Sequence, residues 1–109
     1  MRMDSFPFFT IRWESQPAVT QAGRSGVACV KTVRLGDMRL RRIEFTSGYC
    51  ADEWCSKGHA GLVLSGSLSI RLERGDVFEI PAGDSFHVGD DQDRHRAESL
   101  DGATVFLVD

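Results

Sequence analysis

Side chains of three metal-binding types lie close together near the middle of the sequence. In "DEWCSKGH", residues 52–59, Glu53 offers a carboxylate, Cys55 a thiol and His59 an imidazole. A fourth candidate, His95, follows the polar turn "GDDQDR". Carboxylate, thiolate and imidazole together suit zinc, iron, nickel or copper better than magnesium or calcium. These four residues therefore predict a site for a divalent transition metal, with zinc, iron or nickel as the candidates.

The segments around these residues must bring them to one place. If residues 50–55 are extended, Glu53 and Cys55 point to one side of the strand and Trp54 to the other. The sequence "SKG" predicts a turn, after which His59 begins the next strand beside the first pair. His95 is expected to begin the penultimate strand of the chain.

The rest of the chain predicts an all-β domain. Short runs rich in β-branched and aromatic residues, such as "FFTIRW", "ACVKTVRL" and "VFEIP", alternate with turns that pair glycine with a polar residue. In "SLSIRLE" apolar and polar residues alternate, as in a strand with one buried face, whereas the apolar run "TVFLVD" predicts a strand covered on both faces. No segment has the pattern of a long amphipathic helix. This spacing of short strands is typical of a sandwich or a barrel.

Size and charge restrict the function classes. The 109 residues predict one domain spanning 1–109, and the formal net charge of −3 offers no basic surface for nucleic acid. No apolar run is long enough for a signal peptide or a membrane span. Three cysteines are an odd number, which favours a reducing compartment and a cytoplasmic location, although a Cys29–Cys50 bridge remains open.

The spacing of the first three candidates resembles the first motif of the cupin superfamily. That motif has two ligand positions one residue apart, a third after three more residues and a glycine after six further ones. Glu53, Cys55, His59 and Gly66 occupy these four places.

Two registers are open for the second cupin motif. In the preferred one, a Gly-Asp turn at Gly83 and the strand "SFHV" lead through a tight turn to His95. In the other, "GDVFEIPAG" supplies the glycines and proline, which would place Phe86 at the histidine position, and phenylalanine cannot bind a metal. If His95 is not a ligand, His87 or a residue on another strand must take its place.

The likeness extends to a narrower group. The stretches "ADEWCSKGHAGLVLSGSLSIRLERGDVFEI", "AGDSFHV", "HRAES" and "GATVFLVD" look like the small bacterial single-domain cupins named for an Asp-His-Trp-Cys stretch, a group without an assigned role. Glu53 stands where that group has histidine. The resemblance implies a double-stranded β-helix, a conical barrel of two antiparallel sheets, with the metal site inside it.

The resemblance also implies a homodimer. The N-terminal "FPFFTIRW" carries more aromatic surface than a chain of this length easily covers, so we expect it to be a strand that packs against a second copy.

Two function classes follow, and Cys55 separates them. Glu53, His59 and His95 would form a two-histidine, one-carboxylate set with open positions, as a metal-dependent enzyme acting on a small polar molecule requires. If all four side chains bind, the closed site instead indicates a non-catalytic module that binds a metabolite or a metal-stabilised scaffold. Arg42 and Glu44, on one face of "RLRRIEF", are a further candidate site for a small anionic ligand.

Overall fold

The structure is a computed structural model that describes residues 6–109, and the fold in this range is all-β, as predicted. It contains nine strands, one 3-10 turn at Trp13–Ser15 and no α-helix among the described residues. The strands are β1 (Val19–Ala22), β2 (Val27–Leu35), β3 (Met38–Phe45), β4 (Tyr49–Cys50), β5 (His59–Leu72), β6 (Val77–Pro81), β7 (Ser85–Val88), β8 (His95–Ser99) and β9 (Ala103–Val108).

The strands form two antiparallel sheets that share β5. The first half of β5 pairs with β7 and β9, and the sheet continues from β9 through β3 and β2 to β1. The second half of β5 pairs with β6 and β8, and β4 completes that sheet beside β8. Because one long strand belongs to both sheets, the two sheets curl around a common interior.

A break in the alternation of β5 allows it to change sheets. Val63 is buried in the first half, whereas Leu68, Ile70 and Leu72 are buried in the second, so the buried positions change from odd to even numbers. A register irregularity lies between Val63 and Ser65. Gly66 has a φ of 74°, and a side chain there would collide with the carbonyl oxygen of Gly102. Only glycine fits this position without strain.

The core lies between the two sheets. Its side chains are small and branched, and Val63, Leu68 and Val105 are almost completely buried. Phe45, Tyr49, Phe86 and Ala97 pack against this core from partly buried positions.

The prediction of an N-terminal strand was wrong. Residues 6–12 form no strand, and Trp13 begins the 3-10 turn. The Trp13 ring meets Phe106 edge to face, with ring centroids 6.1 Å apart, and Lys31 donates a hydrogen bond to the Trp13 carbonyl oxygen at 3.0 Å. These contacts hold the segment across β9 and β2. The homodimer stays a prediction, and Phe8, 93% exposed, is the apolar side chain of this segment that a second copy would cover most.

The described residues contain neither a disulfide bond nor a helix that could cross a membrane. All three cysteines are free, so Cys29 and Cys50 form no bridge here. Within residues 6–109, no helix has the length and apolar character needed to cross a membrane.

Candidate metal centre

The structure brings together three of the four predicted ligands. Potential ligand atoms of Cys55, His59 and His95 all lie within 4.8 Å of one another. Cys55 and His95 exchange two backbone hydrogen bonds, of 2.8 and 3.0 Å, which place the cysteine against the start of β8. His59 begins β5 and His95 begins β8, as predicted, and their Nε2 atoms are 2.8 Å apart.

Glu53 lies outside this group. Residues 50–55 do not continue as a strand beyond Cys50, because the chain bends at Asp52 and Glu53. The bend breaks the alternation that would have put Glu53 and Cys55 on one face. Glu53 is exposed, although it lines the same interior cavity as the three grouped residues.

The second-motif alternatives occupy different surroundings. Phe86 points inward and meets the His59 ring edge to face, with centroids 6.3 Å apart. A side chain at Gly61 would collide with the Phe86 ring, so glycine there makes room for it. His87 is exposed on the other side of β7 and is not part of the three-residue group. Of the three candidates for this motif, His95 is therefore the one placed beside Cys55 and His59.

The orientation of His95 suits metal binding through Nε2. Its side chain is buried, and Nδ1 is 2.8 Å from the carbonyl oxygen of Asp93. A carbonyl can only accept, so Nδ1 carries the proton and donates it. This leaves the Nε2 lone pair directed at the group, which is how an outer hydrogen bond fixes the tautomer of a metal-binding histidine.

His59 has a nitrogen without a hydrogen-bond partner. Its side chain is 9% exposed, and no described residue bonds to Nδ1, which lies 3.8 Å from Asp109 Oδ2. Burial lowers the pKa of His59 to about 4, helped by the charges of His95, Arg41 and Arg39 and opposed by Asp109. The imidazole is therefore neutral near pH 7, the form that binds metals.

Asp109 is held in place by two arginines. Arg39 donates two hydrogen bonds to its carboxylate, at 3.0 and 2.7 Å, and Arg41 donates a third at 3.1 Å. Burial alone would raise the pKa of Asp109, but the Arg39 hydrogen bond and the charges of Arg41 and Arg39 outweigh it, so the pKa is lowered. A fixed carboxylate thus faces the Nδ1 atom of His59.

This arrangement fits a metal ion. Two imidazole nitrogens bound to one tetrahedral zinc at about 2.05 Å lie about 3.3 Å apart. The two Nε2 atoms are 2.8 Å apart here, so the two rings need to move apart only slightly to bind one zinc ion. If His59 bound a metal through Nε2, its ring proton would lie on Nδ1 and face the Asp109 carboxylate, which is 3.8 Å away in this structure. Asp109 would then support His59 as the outer carboxylate of a carboxylate–histidine–metal arrangement.

Asp109→Asn is expected to weaken zinc binding about tenfold to a hundredfold, because the amide is a poorer acceptor for the His59 proton. Competition with a chromophoric chelator measures the affinity. Asp37→Asn is the matched control, since Asp37 lines the outer groove beside Asp109 but contributes no atom to the group. Equal zinc affinity in Asp109→Asn and the unchanged protein would contradict this role.

The three grouped side chains line an interior cavity of about 200 Å³. Most of its wall is apolar and comes from both sheets, with Val30, Ile43, Ile70 and Leu107 among the lining residues. Its volume is below the roughly 300–1,000 Å³ of sites for drug-sized ligands. The site therefore suits a small molecule.

The sequence analysis did not identify Arg41 or Asp109, and it placed the candidate anion site on the face of β3 that does not line the cavity. Arg42 and Glu44 form an ion pair at 3.0 Å and do not line the cavity. Arg41 does line it, on the same side of β3 as Ile43. The two-residue spacing of Arg41 and Ile43, and of Leu107 and Asp109, was the signal that could have found them.

Comparisons with solved structures identify the fold. The predicted oxalate decarboxylase from Thermotoga maritima is 15% identical, with a TM-score of 0.78 over 92% of this chain and 96% of that one. Ectoine synthase from P. lautus is 13% identical, with a TM-score of 0.76 over 93% and 76%. An RmlC-like cupin from Shewanella frigidimarina is 18% identical, with a TM-score of 0.72 over 97% and 92%.

The sequence comparisons give no closer assignment: no protein-family model matches the chain, and no curated protein matches it significantly. The TM-scores show that this chain shares the fold of these neighbours over most of its length. The chain therefore has a cupin-type fold, a double-stranded β-helix, with a Cys-His-His group that could hold a metal.

Proposed function

We propose that this protein is a metal-dependent cupin that acts on a small molecule at a divalent metal held by Cys55, His59 and His95. The observation that carries the proposal is the convergence of one thiol and two imidazoles on a cavity. One sulfur and two nitrogen donors suit zinc best among zinc, iron and nickel. When bound, the metal supplies Lewis acidity to a substrate carbonyl or to water.

An enzyme is favoured over a closed binding module because three protein ligands leave a coordination position open. Structural zinc sites have four protein ligands, whereas catalytic ones have three. The exposed position of Glu53 on the bend supports the three-ligand set. The same position disfavours the iron-binding set of Glu53, His59 and His95, since the carboxylate is not grouped with the histidines.

The surrounding residues have separate tasks in this proposal. Asp93 and Asp109 orient the two imidazoles, one through a backbone carbonyl and the other through its carboxylate. Phe86 packs against His59 and restricts water on that side. Two of the structural neighbours carry names of enzymes, a predicted oxalate decarboxylase and an ectoine synthase, so proteins of this fold are compatible with catalysis.

Elemental analysis tests the proposal directly. We expect protein made without chelators or a polyhistidine tag to contain close to one equivalent of a first-row transition metal, with zinc preferred after remetallation. Less than about a tenth of an equivalent after exposure to zinc, iron, nickel and manganese would overturn it, because a site of this donor set binds tightly near neutral pH.

A further inference from the structure

Two arginines beside the interior cavity are tied to one aspartate. Arg39 and Arg41 both form ion pairs with the side-chain carboxylate of Asp109. The Asp109 side chain is 1% exposed and Arg41 is 18% exposed, so solvent screens this group poorly. A mostly buried guanidinium is costly unless its charge is paired and its N–H groups are hydrogen-bonded.

Arg41 is the member of this group that lines the cavity. It lies on the same side of β3 as Ile43, which also lines the cavity, and it is close enough to His59 for its charge to act on that ring. Its Nη2 atom is occupied by Asp109, whereas its Nε atom is buried and has no hydrogen-bond partner among residues 6–109. The guanidinium is thus fixed on one side and unsatisfied on the other.

Glu53 and Arg96 also line the cavity. Glu53 is exposed and lies on the bend rather than in the interior. Arg96 adds a second guanidinium whose Nε is likewise buried without a hydrogen-bond partner, but it stacks on the Trp54 ring at 4.5 Å and lies 3.8 Å from Glu98. Beyond these groups and the metal-binding side chains, most of the wall is apolar.

We propose that the cavity binds a small monocarboxylate, with its carboxylate between Arg41 and the metal position and its short apolar chain against the aliphatic wall. A carboxylate matches a guanidinium in charge and hydrogen-bonding geometry. The carboxylate of such a ligand would meet Arg41, and its apolar chain would pack against the aliphatic side chains of the cavity. This inference names the substrate class for the proposed function and rests on it for the metal, but the Arg41 contact does not require the metal.

Calorimetry with butyrate and butyramide tests the inference, because the two probes have nearly the same shape and differ in charge. At constant ionic strength, zinc-loaded protein is expected to bind butyrate at least about tenfold more tightly than butyramide, the difference of one charge-assisted hydrogen bond. Acetate should bind more weakly than butyrate because it covers less of the apolar wall. Equal affinity for butyrate and butyramide would overturn the proposal, and this comparison needs no variant.

Arg41→Met and Arg42→Met form a matched pair for locating the contact, since the two arginines are neighbours on opposite faces of β3. Arg41→Met should lose about tenfold or more in butyrate affinity, and Arg42→Met less than about twofold. Equal losses in both would overturn the assignment to the cavity.

Repeating the titration on metal-free protein separates this inference from the proposed function. In one outcome, the protein prefers butyrate through Arg41 and yet fails to bind zinc. That result would support the anion contact and contradict the metal-dependent function. Tight zinc binding without a preference for butyrate would support the metal site and contradict the anion contact.

Discussion

His59→Ala and His95→Ala are each expected to lower zinc affinity by a factor on the order of 10² to 10³, since each removes one of three protein ligands. The loss should be large because the remaining side chains cannot replace the missing nitrogen. Glu53, the carboxylate among the ligands predicted from the sequence, lies on the bend and is exposed. Chelator competition at fixed pH measures both variants.

His87→Ala is the control for these substitutions, because His87 is the remaining histidine of the sequence and is exposed on β7. It should change zinc affinity less than about twofold. Glu53→Gln should have a similarly small effect. A large loss in His87→Ala together with a normal His95→Ala would mean that the wrong histidine has been assigned to the second motif.

Acidification is expected to destabilise the metal-free protein through His59. The pKa of His59 is about 4 in the folded protein, against 6.5 for an unperturbed histidine. Between these values the unfolded chain binds a proton that the folded protein does not, so the free energy of unfolding falls as the pH falls. Lowering the pH from above 6.5 to about 4 should reduce the free energy of unfolding by roughly 3 kcal/mol.

Urea unfolding of the metal-free protein at about pH 7 and about pH 4.5 measures this loss. Carboxylates also titrate near the lower pH, so the difference between the unchanged protein and His59→Gln isolates the histidine. His59→Gln should lose less stability on acidification. The same loss in both proteins would show that His59 is protonated as easily in the fold as in the unfolded chain.

Much of the metal centre could be predicted from local patterns. The polar turns before His59 and His95 and the apolar alternation after His59 predicted that both begin strands, and strand starts in adjacent sheets can meet. The position of Gly66 was predicted from motif spacing, and its positive φ at the sheet change gives the physical reason. These features depend on residues near each other in sequence.

The remaining features depend on distant contacts. The bend at Glu53 interrupts an extended segment that alternation alone would continue, and the N-terminal segment packs Trp13 on Phe106 instead of pairing as a strand. Arg41 and Asp109 are separated by most of the chain, and only the pairing of β3 with β9 brings them together. A short sequence motif cannot predict a contact between residues so far apart in the sequence.

If a thiolate and two imidazoles bind one metal, the absorption spectrum of the cobalt form must report the thiolate. A bound thiolate gives intense near-ultraviolet charge-transfer bands, whereas carboxylate and imidazole ligands give only weak ones. Because the thiol binds in its deprotonated form, these bands should also weaken as the pH is lowered. We expect strong bands in the unchanged protein and their loss in Cys55→Ser, whereas an identical spectrum in Cys55→Ser would show that Cys55 is not a ligand.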